Sequence, residues 1–253
     1  MTSPVKKLIP LIDLTSLNVT DDEASIAGFV HSAVTPFGRV AAVCIYPQFV
    51  RLAREELNAN DGKNIAVATV VNFPEGRQNR ETVLKETGKA LEDGASEIDL
   101  VLPYHALLDD DLETPAKMVN AVSALCVANQ ARLKVIIESG ALESAEKIRE
   151  ASIICIDNGA DFIKTSTGKI KIGATPEAVA TILDTILAHG VKETVGLKIS
   201  GGVRQLEDLP PYLDLVSRKM GEAWLHPQHF RIGASALLKS IINELGMQTG
   251  DPA

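Results

Sequence analysis

Aromatic residues are scarce in this 253-residue chain: six Phe, three Tyr and one Trp, 4% of the total. Its core must be built from Val, Ile, Leu and Ala, which disfavours an antiparallel β-sandwich and favours helices packed on parallel strands. Cysteine is sparse too. Cys44, Cys126 and Cys155 are odd in number and lie in apolar stretches, the pattern of reduced, buried thiols in a cytoplasmic protein and not of a disulfide framework. No basic tract occurs, and 33 Asp and Glu outweigh 25 Lys and Arg to give a net charge of −8. A nucleic-acid partner is thereby disfavoured. A small anionic ligand is not, because a few backbone amides make a pocket locally positive. No apolar run approaches the roughly eighteen residues of a membrane span, and Pro10 and Asp13 interrupt the stretch after Lys6 and Lys7, so neither secretory leader nor membrane partner is expected. His31, His105, His189, His226 and His229 show no metal-ligand spacing, and no metal is expected.

What the chain has in abundance is alternation. Short aliphatic runs read LIPLIDLTSL, VAAVCIY, IAVATVVNFP, EIDLVLPY, LKVIIESG, DFIKTST, TVGLKIS and HFRIGAS. Between them lie helically spaced segments, among them 79–93, 115–129, 143–158, 176–189 and 234–245. Pro47, Pro74, Pro103, Gly140, Gly168 and Gly201-Gly202 punctuate the strand ends. Thr20 and Glu23 have the spacing of a capping box, and Pro176 suits a first helical turn after Thr175. Eight strand–helix units with no low-complexity linker predict one α/β domain over 1–253, a closed (β/α)8 barrel with loose ends at about 1–6 and 248–253. A nucleotide-binding doubly wound sheet is disfavoured: there is no GxGxxG, and the stretch before Gly168-Lys169 has Ile163 where a phosphate-binding P-loop needs glycine.

In a parallel barrel the chemistry sits where strands end. Charged residues near those ends stand out against an otherwise aliphatic interior: Asp99 in EIDLV, Lys164 in FIKT and Lys198 in GLKIS. One Asp–Lys pair would be an ordinary structural ion pair. A second lysine is different, because it brings a like charge that a fold gains nothing from holding. Desolvation and a neighbouring ammonium lower a lysine pKa from about 10.4 toward neutrality, as an imine-forming nucleophile requires. Asp13, Thr15 and Cys44, also near strand ends, are further candidates for contact with substrate, as is Glu138.

The loops after the last three strands carry small residues with free amides: Thr165–Lys169, Gly201–Arg204 and Gly233–Ser235. Such loops form phosphate sites at helix N-termini in this fold; one alone would be an ordinary tight turn, but three converging on one side of a barrel favour a phosphate site.

These residues sit in motifs that make the sequence recognisable: AAVCIYP (41–47), ATVVNFP (68–74), EIDLVLPY (97–104), LKVIIESG (133–140), GADFIKTSTGK (159–169), VGLKISGGVR (195–204) and RIGAS (231–235). From about Leu11 to Leu245 the chain resembles the deoxyribose-phosphate aldolases. The resemblance implies a class I aldolase, a lyase that cleaves 2-deoxy-D-ribose 5-phosphate reversibly to D-glyceraldehyde 3-phosphate and acetaldehyde. It implies Lys164 as the Schiff-base lysine, Lys198 as the residue that perturbs it and joins a proton relay, Asp99 as the relay carboxylate, and Gly168, Lys169, Gly201, Gly202, Gly233 and Ser235 as residues of the phosphate-binding loops. It further implies phosphosugar and aldehyde substrates, no metal or organic cofactor, and leaves a homo-oligomer open. Ile199-Ser200 stands where many members carry Pro-Ala, and Ala236 where a serine is frequent. The rival readings are another phosphosugar barrel enzyme and a sugar-phosphate-binding barrel without catalysis.

Overall fold

The computed structural model describes residues 4–249. Eight parallel strands close into a barrel in chain order: β1 (Ile12–Thr15), β2 (Ala42–Ile45), β3 (Ala66–Val71), β4 (Glu97–Val101), β5 (Arg132–Ile136), β6 (Phe162–Lys164), β7 (Gly196–Ser200) and β8 (Phe230–Ala234), with β8 pairing back onto β1. This is the (β/α)8 architecture expected of alternating aliphatic runs and helical segments. A two-residue ribbon, Val34–Thr35 with Gly38–Arg39, is the single antiparallel pairing among the described residues.

The helices are α1 (Glu23–His31), α2 (Val50–Ala59), α3 (Arg80–Glu92), α4 (Tyr104–Leu108), α5 (Glu113–Ala128), α6 (Ser139–Leu142), α7 (Ala145–Asp157), α8 (Pro176–Ala188), α9 (Pro210–Met220) and α10 (Leu237–Thr249). None of them is long and apolar enough to cross a membrane. Helix α8 shows how sequence makes such an element. The Thr175 side chain accepts from the Ala178 amide and Pro176 fills the first turn, so one of the orphan amides there is satisfied and another is absent. Val179, Ile182, Leu183 and Ile186 then fall on one buried stripe against the barrel. Each contributes about 1.5–3 kcal/mol of burial.

Two local expectations are corrected. The cap of α1 is Asp22, not Thr20: the Asp22 side chain accepts from the Ser25 amide and the Ser25 hydroxyl accepts from the Asp22 amide. A carboxylate two residues later in the chain, aligned with the first apolar turn, wins the position. Of the expected loose ends, residues 4–6 open a 3-10 helix over Pro4–Leu11 and Gln248 lies within α10, while 1–3 and 250–253 fall outside the described residues.

Most of the aliphatic residues pack in one continuous cluster between strands and helices. Inside the barrel lies a separate and much smaller group: Leu17, Ala42, Cys44, Ala68 and Val70. The expected aliphatic interior is therefore only partial. Side chains alternate across a strand, so most large aliphatics face the helices, and across from the β2–β3 group the interior face carries charged residues interleaved with Val101, Ile136 and Phe162.

Candidate active site

The sheet register assembles those charged residues. Asp99 of β4 pairs with Lys134 of β5, Ile136 with Lys164, Lys164 with Lys198, and Lys198 with Arg231. The side chains then meet across the barrel. Lys164 Nζ donates to Asp99 Oδ2 at 2.8 Å. Lys198 Nζ donates to the same oxygen at 2.8 Å and lies 2.7 Å from Asp13 Oδ2. Lys134 Nζ reaches Asp99 Oδ1 at 2.9 Å from the opposite side. Cys44 Sγ is 3.9 Å from Asp99 Oδ2. The predicted triad of Asp99, Lys164 and Lys198 is thus one contact set, with Asp13 and Cys44 touching it.

Electrostatics separate the two lysines. Burial pushes the Lys164 ammonium toward its neutral form; Asp99 opposes this and Lys198 adds to it, leaving the pKa below the usual lysine value. Burial acts on Lys198 in the same sense, but Asp13 and Asp99 together hold it well above that value. Asp99 itself, which burial alone would raise, is kept well below the carboxylate range by Lys134, Lys164 and Lys198. Burial and the Asp99 charge push the Cys44 thiol up. A protonated Lys198 and an ionised Asp99 therefore flank the one lysine of the cluster in which burial outweighs the carboxylates and favours the free base.

Lys164 also lines a pocket of about 270 Å³ at the C-terminal mouth of the barrel, together with Thr15, Gly168, Lys169, Gly201, Gly202, Gly233 and Ser235. Every loop residue expected to hold phosphate is in its wall. Asp99, Lys198, Asp13 and Cys44 lie beneath, out of its lining. Two glycines are fixed by geometry. Gly201 has φ +77°, and a Cβ there would sit 2.9 Å from the Gly173 Cα. A Cβ on Gly233 would come within 3.0 Å of the Ser200 Cβ and 3.1 Å of the Lys198 Cε, so a side chain at this position would crowd the lysine stem.

The sixth loop is braced from two sides. Lys169 Nζ donates to the Leu17 carbonyl at 2.5 Å, tying it to the first loop. The buried Glu138 carboxylate accepts from the Thr167 amide at 3.2 Å and the Thr167 hydroxyl at 2.5 Å. Glu138 is a loop partner in this structure, not part of the pocket lining. Asn18, Thr167 and Arg204, which do line the pocket, were not singled out in the sequence, although Thr167 and Arg204 lie inside two of the motifs.

Three buried charges escaped the sequence reading altogether: Glu97, Lys134 and Arg231. Lys134 Nζ is 2.5 Å from Glu97 Oε2, and Arg231 bridges Asp13 at 2.6 Å and Glu97 at 3.1 Å. Glu97 and Arg231 lie at or next to the starts of β4 and β8, away from the strand ends where chemistry is expected, whereas Lys134 stands third of five in β5, as Asp99 does in β4 and Lys198 in β7. Period-two alternation would have found them, since Glu97 and Asp99 share one face of β4.

Comparison with known proteins agrees with this architecture. Residues 7–241 match the family described as DeoC/LacD family aldolase. A candidate deoxyribose-phosphate aldolase of Coccidioides immitis superposes with a TM-score of 0.81 at 28% identity, covering 97% of this chain and 88% of its own. One from Toxoplasma gondii ME49, crystallised in its apo form, gives 0.86 at 26% identity over 94% of each chain. The Aeropyrum pernix deoxyribose phosphate aldolase, described as a tetramer, shares the fold with a TM-score of 0.76 at 24% identity, over 96% of this chain and 93% of its own.

Proposed function

The chain belongs to the DeoC/LacD family of aldolases, and from that premise we propose that this carbon–carbon lyase acts on 2-deoxy-D-ribose 5-phosphate through an imine on Lys164. The observation that carries the proposal is the placement of Lys164. Its ammonium is buried against Asp99 and Lys198, yet the same residue lines the pocket whose wall holds the phosphate-type loops.

The free amine of Lys164 adds to C1 of the open-chain sugar, and loss of water gives a protonated imine. Acetaldehyde carries two carbons, so the bond that breaks is C2–C3. The C3 hydroxyl loses its proton, glyceraldehyde 3-phosphate departs, and the bonding pair moves into the iminium to leave an enamine. Protonation at C2 and hydrolysis of the imine release acetaldehyde and restore the amine. Ionised Asp99, acting through water, suits the proton acceptor in the cleavage step, and such general acid–base help is worth about 10²–10⁴-fold. Cationic Lys198 keeps the Lys164 proton easy to lose. The amides of Gly168, Gly201, Gly202 and Gly233, with Lys169 and Ser235, hold the phosphate and so fix the reacting carbon over Lys164.

Borohydride reduction in the presence of acetaldehyde or the sugar phosphate, followed by peptide mapping, tests this reading. The expected adduct is on the peptide containing Lys164. Trapping on another peptide, or none, rejects the assignment. The three free, buried thiols suit a reducing compartment, so we assign the enzyme to the cytoplasm, which fractionation of the source cells checks.

A further inference from the structure

The ion pairs around Asp99 do not stop at the active site. They run the length of the barrel interior and end at its opposite mouth, where Glu97 and Arg231 line a cavity of about 510 Å³ among residues that precede or begin the strands, such as Ala41, Ala66 and Arg132. Seven charged side chains form the chain of contacts: Lys164, Asp99, Lys198, Lys134, Asp13, Glu97 and Arg231. None is more than 5% exposed.

Four of these groups are cations and three are carboxylates. A buried cluster tolerates an unbalanced charge poorly, so this one carries one proton that it holds weakly. The contacts say which one. Lys134 has Glu97, Asp99 and, at 3.5 Å, Asp13 around it. Lys198 has Asp13 and Asp99. Arg231 has Asp13 and Glu97. Lys164 has Asp99 alone, through an oxygen that Lys198 already occupies. Its other polar neighbourhood is poor in compensating charge: Cys44 lies against Asp99 as a buried thiol, Glu138 is committed to Thr167, and Lys169 in the same pocket is a further cation.

We propose that Arg231 and Glu97, at the far mouth of the barrel from the substrate, are positioning residues that set the pH at which Lys164 becomes a free amine, by fixing the charge balance of this buried cluster. Arg231 occupies Asp13 and Glu97, so that Asp13, Asp99 and Glu97 have no spare charge with which to hold a proton on Lys164. The inference rests on the reading of Lys164 as the imine-forming residue. It extends that reading to two side chains that touch neither substrate nor Lys164.

The test is the pH dependence of imine formation, read by borohydride trapping of acetaldehyde at each pH. A unit charge about 10 Å away at an effective dielectric of about 20 moves a pKa by about one unit. Arg231→Met balances the cluster with Lys164 protonated, so the limb on which trapping rises with pH should move up by about one pH unit. Glu97→Gln enlarges the excess of positive charge and should move the same limb down by a similar amount. The double variant removes one charge of each sign and should return the limb to the wild-type position, as should Arg231→Lys. If Arg231→Met does not fold, Glu97→Gln and the double variant decide. Loss of amplitude with an unmoved limb, shifts of the same sign in both single variants, or a double variant that does not return would each overturn the proposal. Wild-type protein that traps aldehyde away from Lys164 would instead reject the underlying reading; trapping at Lys164 with unmoved limbs rejects this inference alone.

Discussion

Lys164 and Lys198 stand in register on adjacent strands, and both donate to a single oxygen, Asp99 Oδ2, at 2.8 Å. One carboxylate oxygen does not balance two ammonium groups. Lys198 has a second carboxylate, Asp13, at 2.7 Å, and Lys164 does not. The asymmetry assigns the lasting charge to Lys198 and the free amine to Lys164.

Replacing the lasting charge should therefore slow the other residue. In Lys198→Leu, Lys164 loses its nearest like charge and keeps Asp99 Oδ2 to itself, so its pKa rises and less free amine exists at neutral pH. We expect imine formation with acetaldehyde at pH 7 to fall by about 100-fold and to recover as the pH is raised, since two pKa units correspond to that factor. Rates like those of the wild type at pH 7 would reject the role of Lys198.

Asp99 is the hub for three lysines, so its removal should destabilise the fold as well as stop the reaction. Asp99→Asn leaves Lys134, Lys164 and Lys198 short of a buried counter-charge, a loss of about 3–5 kcal/mol. Urea unfolding at pH 7 measures it. The pH dependence has a definite sign. The folded pKa values of Asp13 and Asp99 lie below those of the unfolded chain, so their stabilisation is complete above about pH 4 and is lost as the pH falls through the folded values. Wild-type stability should drop on acidification below pH 4, and Asp99→Asn should show a shallower drop. Parallel curves would show that Asp99 is not held low by its lysines.

The phosphate loops predict a separation of binding from chemistry. Gly201→Ala forces a side chain into a left-handed backbone position and against Gly173, displacing the loop that lines the pocket. Its effect should be a rise in KM for 2-deoxy-D-ribose 5-phosphate of about tenfold or more, while trapping of acetaldehyde, which has no phosphate, stays near the wild-type rate. Equal losses with both ligands would place the damage at Lys164 instead.

The sequence disclosed the barrel because a period of aliphatic runs and helical segments is set by chain geometry, and it disclosed Asp99, Lys164 and Lys198 because a charge in an aliphatic strand end is conspicuous. Closure of the sheet was harder to read. Arg231 belongs to β8 and Glu97 to β4, and nothing local in RIGAS or EIDLV says that they meet across the barrel at 3.1 Å. Lys134 occupies the same strand position as Asp99 and Lys198, and what no local pattern shows is that its partners come from β1 and β4. The cap of α1 was misplaced by two residues because Thr20 and Asp22 are both good N-cap types, and only the position of the first buried apolar residue, Ile26, distinguishes them.

Glu138 supplies the last prediction. Its carboxylate takes two hydrogen bonds from Thr167, whose hydroxyl in turn accepts from the Lys169 amide at 3.0 Å. The loop proposed to hold phosphate is thus braced by an acceptor outside the pocket. Burial raises the Glu138 pKa above the ordinary glutamate value, although the Thr167 bonds work against that rise. Protonation as the pH falls removes acceptor strength just where the loop needs it. We therefore expect KM for the phosphorylated substrate to climb as the pH falls, beginning at a pH above the ordinary glutamate range, with trapping of acetaldehyde unaffected by Glu138. Glu138→Ala should show a KM raised by about tenfold at every pH, the worth of one to two lost hydrogen bonds. Glu138→Gln keeps an acceptor for the Thr167 amide and has no carboxylate to titrate, so its KM should be intermediate and flat as the pH falls. A KM–pH curve in Glu138→Gln that still climbs like the wild type would assign the titration to another group, and a Glu138→Ala enzyme with unchanged KM would remove Glu138 from the support of the loop.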